Sequence, residues 1–272
     1  MDNRAIGIID SGLGGLTAYR ELRRLLPQEN LVYFGDTGRV PYGSRSRETI
    51  QKYAMQDIRF ILRHHVKLVV AACGTISSTI TPQAVEAIGL PFSGIVRPTA
   101  QAACQATRSG RVGLIATAAT VRSGAFGRAV EELGGPGVRL TAAACPLVVP
   151  LVENGFVQPD NPVTELVARQ YLQPMVEAQV DTLILGCTHY PLLSQTIQRI
   201  MGPQVTLIDS GREVARWAQG FLAGHGLLAQ REQPGTGEFF VTDSAEGFIQ
   251  VAGLFLQEGV EGRVTQIDVE AL

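Results

Sequence analysis

The sequence predicts an α/β fold built from two similar halves, and three observations carry that prediction. Short aliphatic and β-branched runs alternate along the chain with segments of helical periodicity. The runs are uniformly apolar, the pattern of parallel strands covered by helices on both faces rather than of strands with one wet side. The chain also echoes itself. "RAIGIIDSGLGGLTAYRELRRLL" at 4–26 has the layout of "GRVGLIATAATVRSGAFGRAVEEL" at 110–133, and "VKLVVAACGTISSTITPQAVEAIGLPFSGIV" that of "VDTLILGCTHYPLLSQTIQRIMGPQVTLID". Such internal repetition predicts two copies of one unit around a pseudo-twofold axis.

Each element follows in order. "AIGIID" is a strand, and "DSGLGG" is the turn into a helix over 14–26 that carries its charge on one face. "LVYFG" is the next strand, and "RETIQKYAMQDIRFILRHH" is an amphipathic helix that puts His64 and His65 at the surface or its boundary. "KLVVAAC" and "FSGIV" complete the first half; "RVGLIAT", "RLTAAAC", "TLILGC" and "VTLID" are the strands of the second. Between these lie the helical patterns "SGAFGRAVEELG" and "VTELVARQYLQPMVEAQ", and "EFFVTD" is a late strand. No stretch is low in complexity.

Composition narrows the function. The 272 residues are 45% apolar and 18% charged with a formal charge of −2, and no basic stripe or Lys/Arg block announces a nucleic-acid partner or an anionic membrane surface. No apolar run reaches the roughly 18 residues that span a bilayer, and the N-terminal residues enter a strand without a signal-peptide pattern. A small-molecule ligand and a cytoplasmic location are expected. Four cysteines, Cys73, Cys104, Cys145 and Cys187, form neither a disulfide framework nor a CxxC pattern.

Two of those cysteines occupy equivalent places in the repeat. Cys73 and Cys187 each end a strand and precede a helix whose N-terminal N–H groups favour a thiolate. Ligands of such sheets bind beyond the strands' carboxyl ends, so one thiol is expected from each side. Cys104, in a helical run, and Cys145, before Pro146, read as core residues. A zinc site at Cys187 and His189 lacks two further ligands at suitable spacing, and a Cys-His hydrolase leaves the second thiol unexplained. Two bases on opposite faces of one carbon suit racemisation: one thiolate removes the α-proton and the opposing thiol returns a proton to the other face. Pyridoxal phosphate needs a Schiff-base lysine, and neither Lys52 nor Lys67 looks like one. "DSGLGG" lacks the third glycine of a dinucleotide fingerprint and reads as a turn that offers N–H groups and Ser11 to an anion.

The motifs "DSGLGGL", "GDTGRVPYGSRS", "AACGTISS", "IATAATVRSGAF", "CPLVVPLVENG", "LGCTHYPLL" and "IDSG" together resemble those of the glutamate racemases, within the cofactor-independent aspartate/glutamate racemase superfamily. The resemblance covers nearly the whole chain. It implies two Rossmann-like domains, residues 1–97 plus 210–272 and residues 98–209, with the site between them. It implies no cofactor and no metal, glutamate as substrate, a homodimer, and D-glutamate supplied to peptidoglycan. Cys73 and Cys187 are implied as the bases, with Asp10 and His189 hydrogen-bonded near them and Glu153 as a further assistant. Implied substrate contacts are Asp10, Ser11, Tyr42, Gly43, Gly74, Thr75, Thr117, Thr188 and His189.

The residues themselves leave plainer readings: Asp10, Thr75, Thr117 and Thr188 as helix caps, Tyr42 as a packed aromatic, Glu153 as a helix-end charge. One position departs from the family, which usually has Cys-Asn-Thr where this chain has Cys73-Gly74-Thr75. Two alternatives follow: a related racemase or isomerase acting on another amino acid in a pocket widened at Gly74, or a protein that binds an amino acid or a partner with little turnover.

Overall fold

The computed structural model describes residues 2–256, 259–260 and 262–272. All nine predicted runs form strands: β1 (Ile6–Asp10), β2 (Leu31–Gly35), β3 (Leu68–Ala71), β4 (Phe92–Gly94), β5 (Arg111–Ala116), β6 (Arg139–Ala144), β7 (Thr182–Leu185), β8 (Thr206–Asp209) and β9 (Gly237–Val241). A tenth, β10 (Val264–Gln266), has no counterpart in the prediction because its three residues are largely exposed and carry no apolar run.

The repeat in the sequence is a repeat in topology. One sheet has the order β10-β9-β2-β1-β3-β4 and the other β6-β5-β7-β8, so the second matches the β2-β1-β3-β4 part of the first strand for strand. Every strand pair is parallel. The first sheet is extended past β2 by the late strands β9 and β10. Strands β1, β3, β5 and β7 are almost wholly buried, which is why they read as continuous apolar runs.

Helix ends explain most boundaries. The helix Arg47–Leu62 begins where the Ser46 hydroxyl accepts the Thr49 N–H, and it stops before His64 and His65. His65 stands at φ 50°, beyond the helix, which corrects the expectation that both histidines lie on it. The helix Pro162–Glu177 is opened by Asn161, whose side chain accepts two backbone N–H groups. "FSGIV" is shorter as a strand than predicted because Ile95 and Val96 already enter the helix Val96–Ala106.

Hydrogen bonds and packing hold the two halves together near the strands' carboxyl ends. The Thr17 hydroxyl donates to the Thr188 carbonyl at 3.0 Å, and the Ala119 N–H donates to the Gly43 carbonyl at 3.0 Å. At the opposite end of β3, Lys67 and Glu29 form a buried ion pair at 2.6 Å, and the Lys67 ammonium also donates to the carbonyls of Asp2 and Leu227.

Candidate active site

Four central strands deliver chemistry to one place. β1 leads to Asp10 and Ser11, β3 to Cys73, β5 to Thr117 and β7 to Cys187, and their carboxyl ends face a cavity of about 400 Å³ between the sheets. Cys73 is the residue before the helix Gly74–Thr79, and Cys187 lies three residues before the start of the 3₁₀ turn Tyr190–Leu193. Both thiols line the cavity, one from each half, and each is only 6% exposed.

Each thiol has its own partner. The Ser11 hydroxyl lies 3.2 Å from Cys73 Sγ. On the other side, His189 Nδ1 lies 3.8 Å from Cys187 Sγ, while His189 Nε2 lies 2.9 Å from Glu153 Oε1. Glu153 ends the helix Val148–Glu153, so the plain reading and the functional one both describe it.

The electrostatics differ between the two sides. Burial pushes the Cys73 thiol up to about 12; the Asp10 charge acts in the same direction, and the Ser11 hydroxyl opposes it. Burial works against a charged imidazole at His189, but hydrogen bonds with Cys187 and Glu153 outweigh it and push the group up to about 10. Burial thus favours the neutral Cys73 thiol, while the hydrogen bonds at His189 favour the protonated imidazole on the opposite side.

The expected contacts sort into three groups. Ser11, Gly43, Gly74, Thr75, Thr117, Thr188 and His189 line the cavity. The Thr75 and Thr117 hydroxyls meet at 3.0 Å across the halves. Of the three threonines read as caps, only Thr117 is one, accepting the Thr120 N–H; Cys73 precedes the helix that contains Thr75, and His189 rather than Thr188 precedes the 3₁₀ turn.

Tyr42 also lines the cavity, yet its hydroxyl turns away to Asp36 and Asp57, so only its ring and backbone face a ligand. Asp10 is set back behind the wall. Only 1% exposed, it accepts the Gly12 N–H at 2.9 Å, and its hydrogen bond goes to neither thiol, because the Ser11-Gly12 turn folds the carboxylate back on the chain. Burial raises Asp10 above its ordinary value, and the charge on His189 opposes that rise.

Two features escape local sequence reading. Cys145, expected in the core, is packed there but also forms part of the cavity wall; burial pushes it up to about 12, so it stays a thiol. Glycines make the close approach of the halves possible. A Cβ at Gly14 would lie 2.4 Å from His189 Nδ1, and a Cβ at Gly74 would lie 2.3 Å from the Gly186 carbonyl oxygen. Among the described residues, no set of three or more His, Cys, Asp or Glu is placed to hold a metal ion.

Fold and cavity together define an α/β protein of two repeated parallel-sheet halves, with a thiol from each half in one shared cavity. A sequence model of the Asp/Glu/Hydantoin racemase family matches residues 6–218. The chain is 45% identical over 268 residues to the glutamate racemase of Geobacter metallireducens, covering 98% of each. Its structure matches a glutamate racemase isoform from Bacillus anthracis with a TM-score of 0.94 at 34% identity, covering 99% of both chains. It matches the glutamate racemase of Francisella tularensis, solved in complex with D-glutamate, with a TM-score of 0.91 at 34% identity over the whole of both chains. The chain belongs to the Asp/Glu/Hydantoin racemase family, in its glutamate racemase group.

Proposed function

We propose that this protein interconverts L- and D-glutamate by moving a proton at Cα between two thiols, without a cofactor. The observation that carries the reading is the placement of Cys73 and Cys187, one from each repeat, in a single cavity. A carbon bound between them presents opposite faces to two sulfur atoms. A thiolate on one side takes the α-proton, the thiol on the other gives its proton to the opposite face, and the reverse reaction exchanges the roles.

The surrounding residues divide that work. His189, cationic and held by Glu153, supplies the charge partner for sulfur on the Cys187 side. Ser11 orients Cys73 and offsets part of the cost of charging it. The hydroxyls of Thr75, Thr117 and Thr188 and the N–H groups of the strand-end turns offer donors to the substrate's carboxylates. Lys67 is unsuited to a Schiff base, because it is held in its ion pair at the far end of β3.

The domain division at 1–97 plus 210–272 and 98–209, the homodimer, the cytoplasmic location and supply of D-glutamate to peptidoglycan form part of the same proposal. No helix among the described residues is long and apolar enough to cross a membrane. Light scattering on the purified protein tests the dimer.

The chemistry is tested by NMR in D2O, following α-proton exchange in glutamate, aspartate and a larger analogue, with chelator present and no pyridoxal phosphate added. Glutamate is expected to exchange and racemise. Cys73→Ala and Cys187→Ala are each expected to abolish racemisation with the fold retained, while Cys104→Ala keeps most activity. Full activity in either single thiol variant removes that cysteine from the mechanism.

A further inference from the structure

Tyr33 is a buried phenol outside the path of the proton. It stands in the middle of β2, wholly shielded from solvent, with its ring among Tyr19, Phe239 and Phe248. Its hydroxyl reaches the turn that follows β1 and donates to the Gly12 carbonyl at 2.9 Å. The same carbonyl is pressed against Gly35, where a Cβ would lie 2.3 Å from its oxygen, so it cannot retreat to that side. The turn it belongs to carries both polar supports of the first half. The Gly12 N–H holds Asp10 Oδ2 at 2.9 Å, and the Ser11 hydroxyl lies 3.2 Å from Cys73 Sγ. Burial and the charges of Asp10 and Cys73 all push the Tyr33 hydroxyl well above its ordinary value, so it keeps its proton and remains a donor.

The other half has no such device. The repeat sets Asp10-Ser11 against Ala116-Thr117. Pairing of β1 with β2 puts Ile8 opposite Tyr33, while pairing of β5 with β6 puts the corresponding Leu114 opposite Ala142. Where β2 sends a hydroxyl to the turn, β6 has only a methyl group. The turn at Thr117 is held instead by its own cap to the Thr120 N–H, and Cys187 has His189 beside it. The two thiols are thus supported by different means.

We propose that Tyr33 is a positioning residue for the Cys73 side: its hydroxyl pins the Gly12 carbonyl, and through that turn holds Ser11 against the Cys73 thiol and the Asp10 carboxylate behind the wall. A buried carbonyl that loses its donor is left unsatisfied, and the backbone shifts to find another. The turn that moves is the one that carries Ser11. Because the Ser11 hydroxyl offsets part of the cost of charging Cys73, a displaced Ser11 leaves that thiol harder to ionise. Cys187 does not feel the change. The kinetic consequence rests on the racemase reading; the hold on Cys73 does not.

Tyr33→Phe removes one oxygen and keeps the ring. Tyr19→Phe is the control, since it takes a hydroxyl from the same aromatic cluster, where the partner is Arg23 at 3.3 Å and not the turn. Thermal unfolding is expected to show a similar small loss in both. Labelling with iodoacetamide at fixed pH, read by peptide mass, is expected to slow several-fold at Cys73 in Tyr33→Phe alone, with Cys187 unchanged, because the thiolate is the reactive form. Racemisation by Tyr33→Phe is expected to fall about tenfold in kcat with KM little changed. L- and D-glutamate have equal free energy, so kcat/KM falls by one factor in both directions. The α-deuterium isotope effects on kcat/KM separate the two sides: as the step at Cys73 becomes the slower one, the effect rises for the enantiomer whose α-hydrogen faces Cys73 and falls for the other. In a Ser11→Ala background Tyr33→Phe is expected to add little, as two changes in one chain of contacts do not sum.

Unchanged labelling of Cys73 in Tyr33→Phe, equal slowing at both thiols, or the same behaviour in Tyr19→Phe overturns the proposal. Isotope effects that move together for both enantiomers, or losses that sum fully with Ser11→Ala, also overturn it, because general loosening of the core produces those results. A parent protein that leaves glutamate unchanged overturns the racemase reading, and the labelling then decides the role of Tyr33 by itself.

Discussion

Replacing Gly74 by alanine adds a carbon 2.3 Å from the Gly186 carbonyl oxygen. Ordinary carbon–oxygen contacts begin at about 3.3 Å, so the gap must open by about 1 Å. Neither side yields easily, because the obstacle is backbone rather than the end of a flexible side chain. Gly186 is itself held by its N–H bond to the Ile115 carbonyl at 2.9 Å, and a Cβ there would lie 2.6 Å from Leu114. Cys73 precedes Gly74 and Cys187 follows Gly186, so opening this contact moves the two thiols apart. Overpacking of this kind costs about 1–3 kcal/mol of stability, and a misplacement near 1 Å costs about a hundredfold in rate.

Gly74→Asn carries the same Cβ and an amide besides. It is expected to lose at least as much, although asparagine is what the family usually places there. The assay is kcat and KM on glutamate, aspartate and a larger analogue, with thermal unfolding of parent, Gly74→Ala and Gly74→Asn. An unchanged or raised kcat/KM on glutamate with an unchanged unfolding midpoint would refute the reasoning. The Gly186 contact would then not set the thiol spacing, and the missing amide would be a simple deficit.

Three further outcomes follow from the site and its supports. His189 holds its proton up to about 10 when folded against 6.5 ordinarily, so its contribution to stability is complete below pH 6.5 and is lost as pH rises towards 10. Cys73, raised from 9.0 to about 12, adds a loss of the same sign at higher pH; urea midpoints of the parent should fall across the first window more steeply than those of His189→Asn. Glu153→Gln removes the carboxylate 2.9 Å from His189 Nε2 and is expected to lower kcat about tenfold with KM little changed, measured by steady-state racemisation. Lys67→Met leaves the buried Glu29 without its cation and is expected to cost about 3–5 kcal/mol in chemical denaturation, while the folded protein keeps its kcat.

The strands were legible because burial on both faces leaves a mark in composition: "GIID", "LVVA" and "LIL" cannot be much else when helices lie between them. The repeat was legible because the same unit occurs twice, and it placed Cys73 and Cys187 at matching strand ends. The three-residue β10 left no such mark, being exposed and short.

What local pattern cannot report is where a side chain points once two sheets have docked. Asp10 and Tyr42 stand at the expected strand end and loop, but the turn at Gly12 draws the Asp10 carboxylate behind the wall, and Asp36 and Asp57 take the Tyr42 hydroxyl. Cys145 entered the wall, and Glu153 reached His189 across 36 residues of chain. The sequence by itself determined the class of fold, its doubling and the pair of thiols, because periodicity and repetition record burial and local geometry. Tertiary structure alone decided which hydroxyls face the cavity and which glycines let the halves approach, because those contacts join segments far apart in the chain and leave no periodic trace in either.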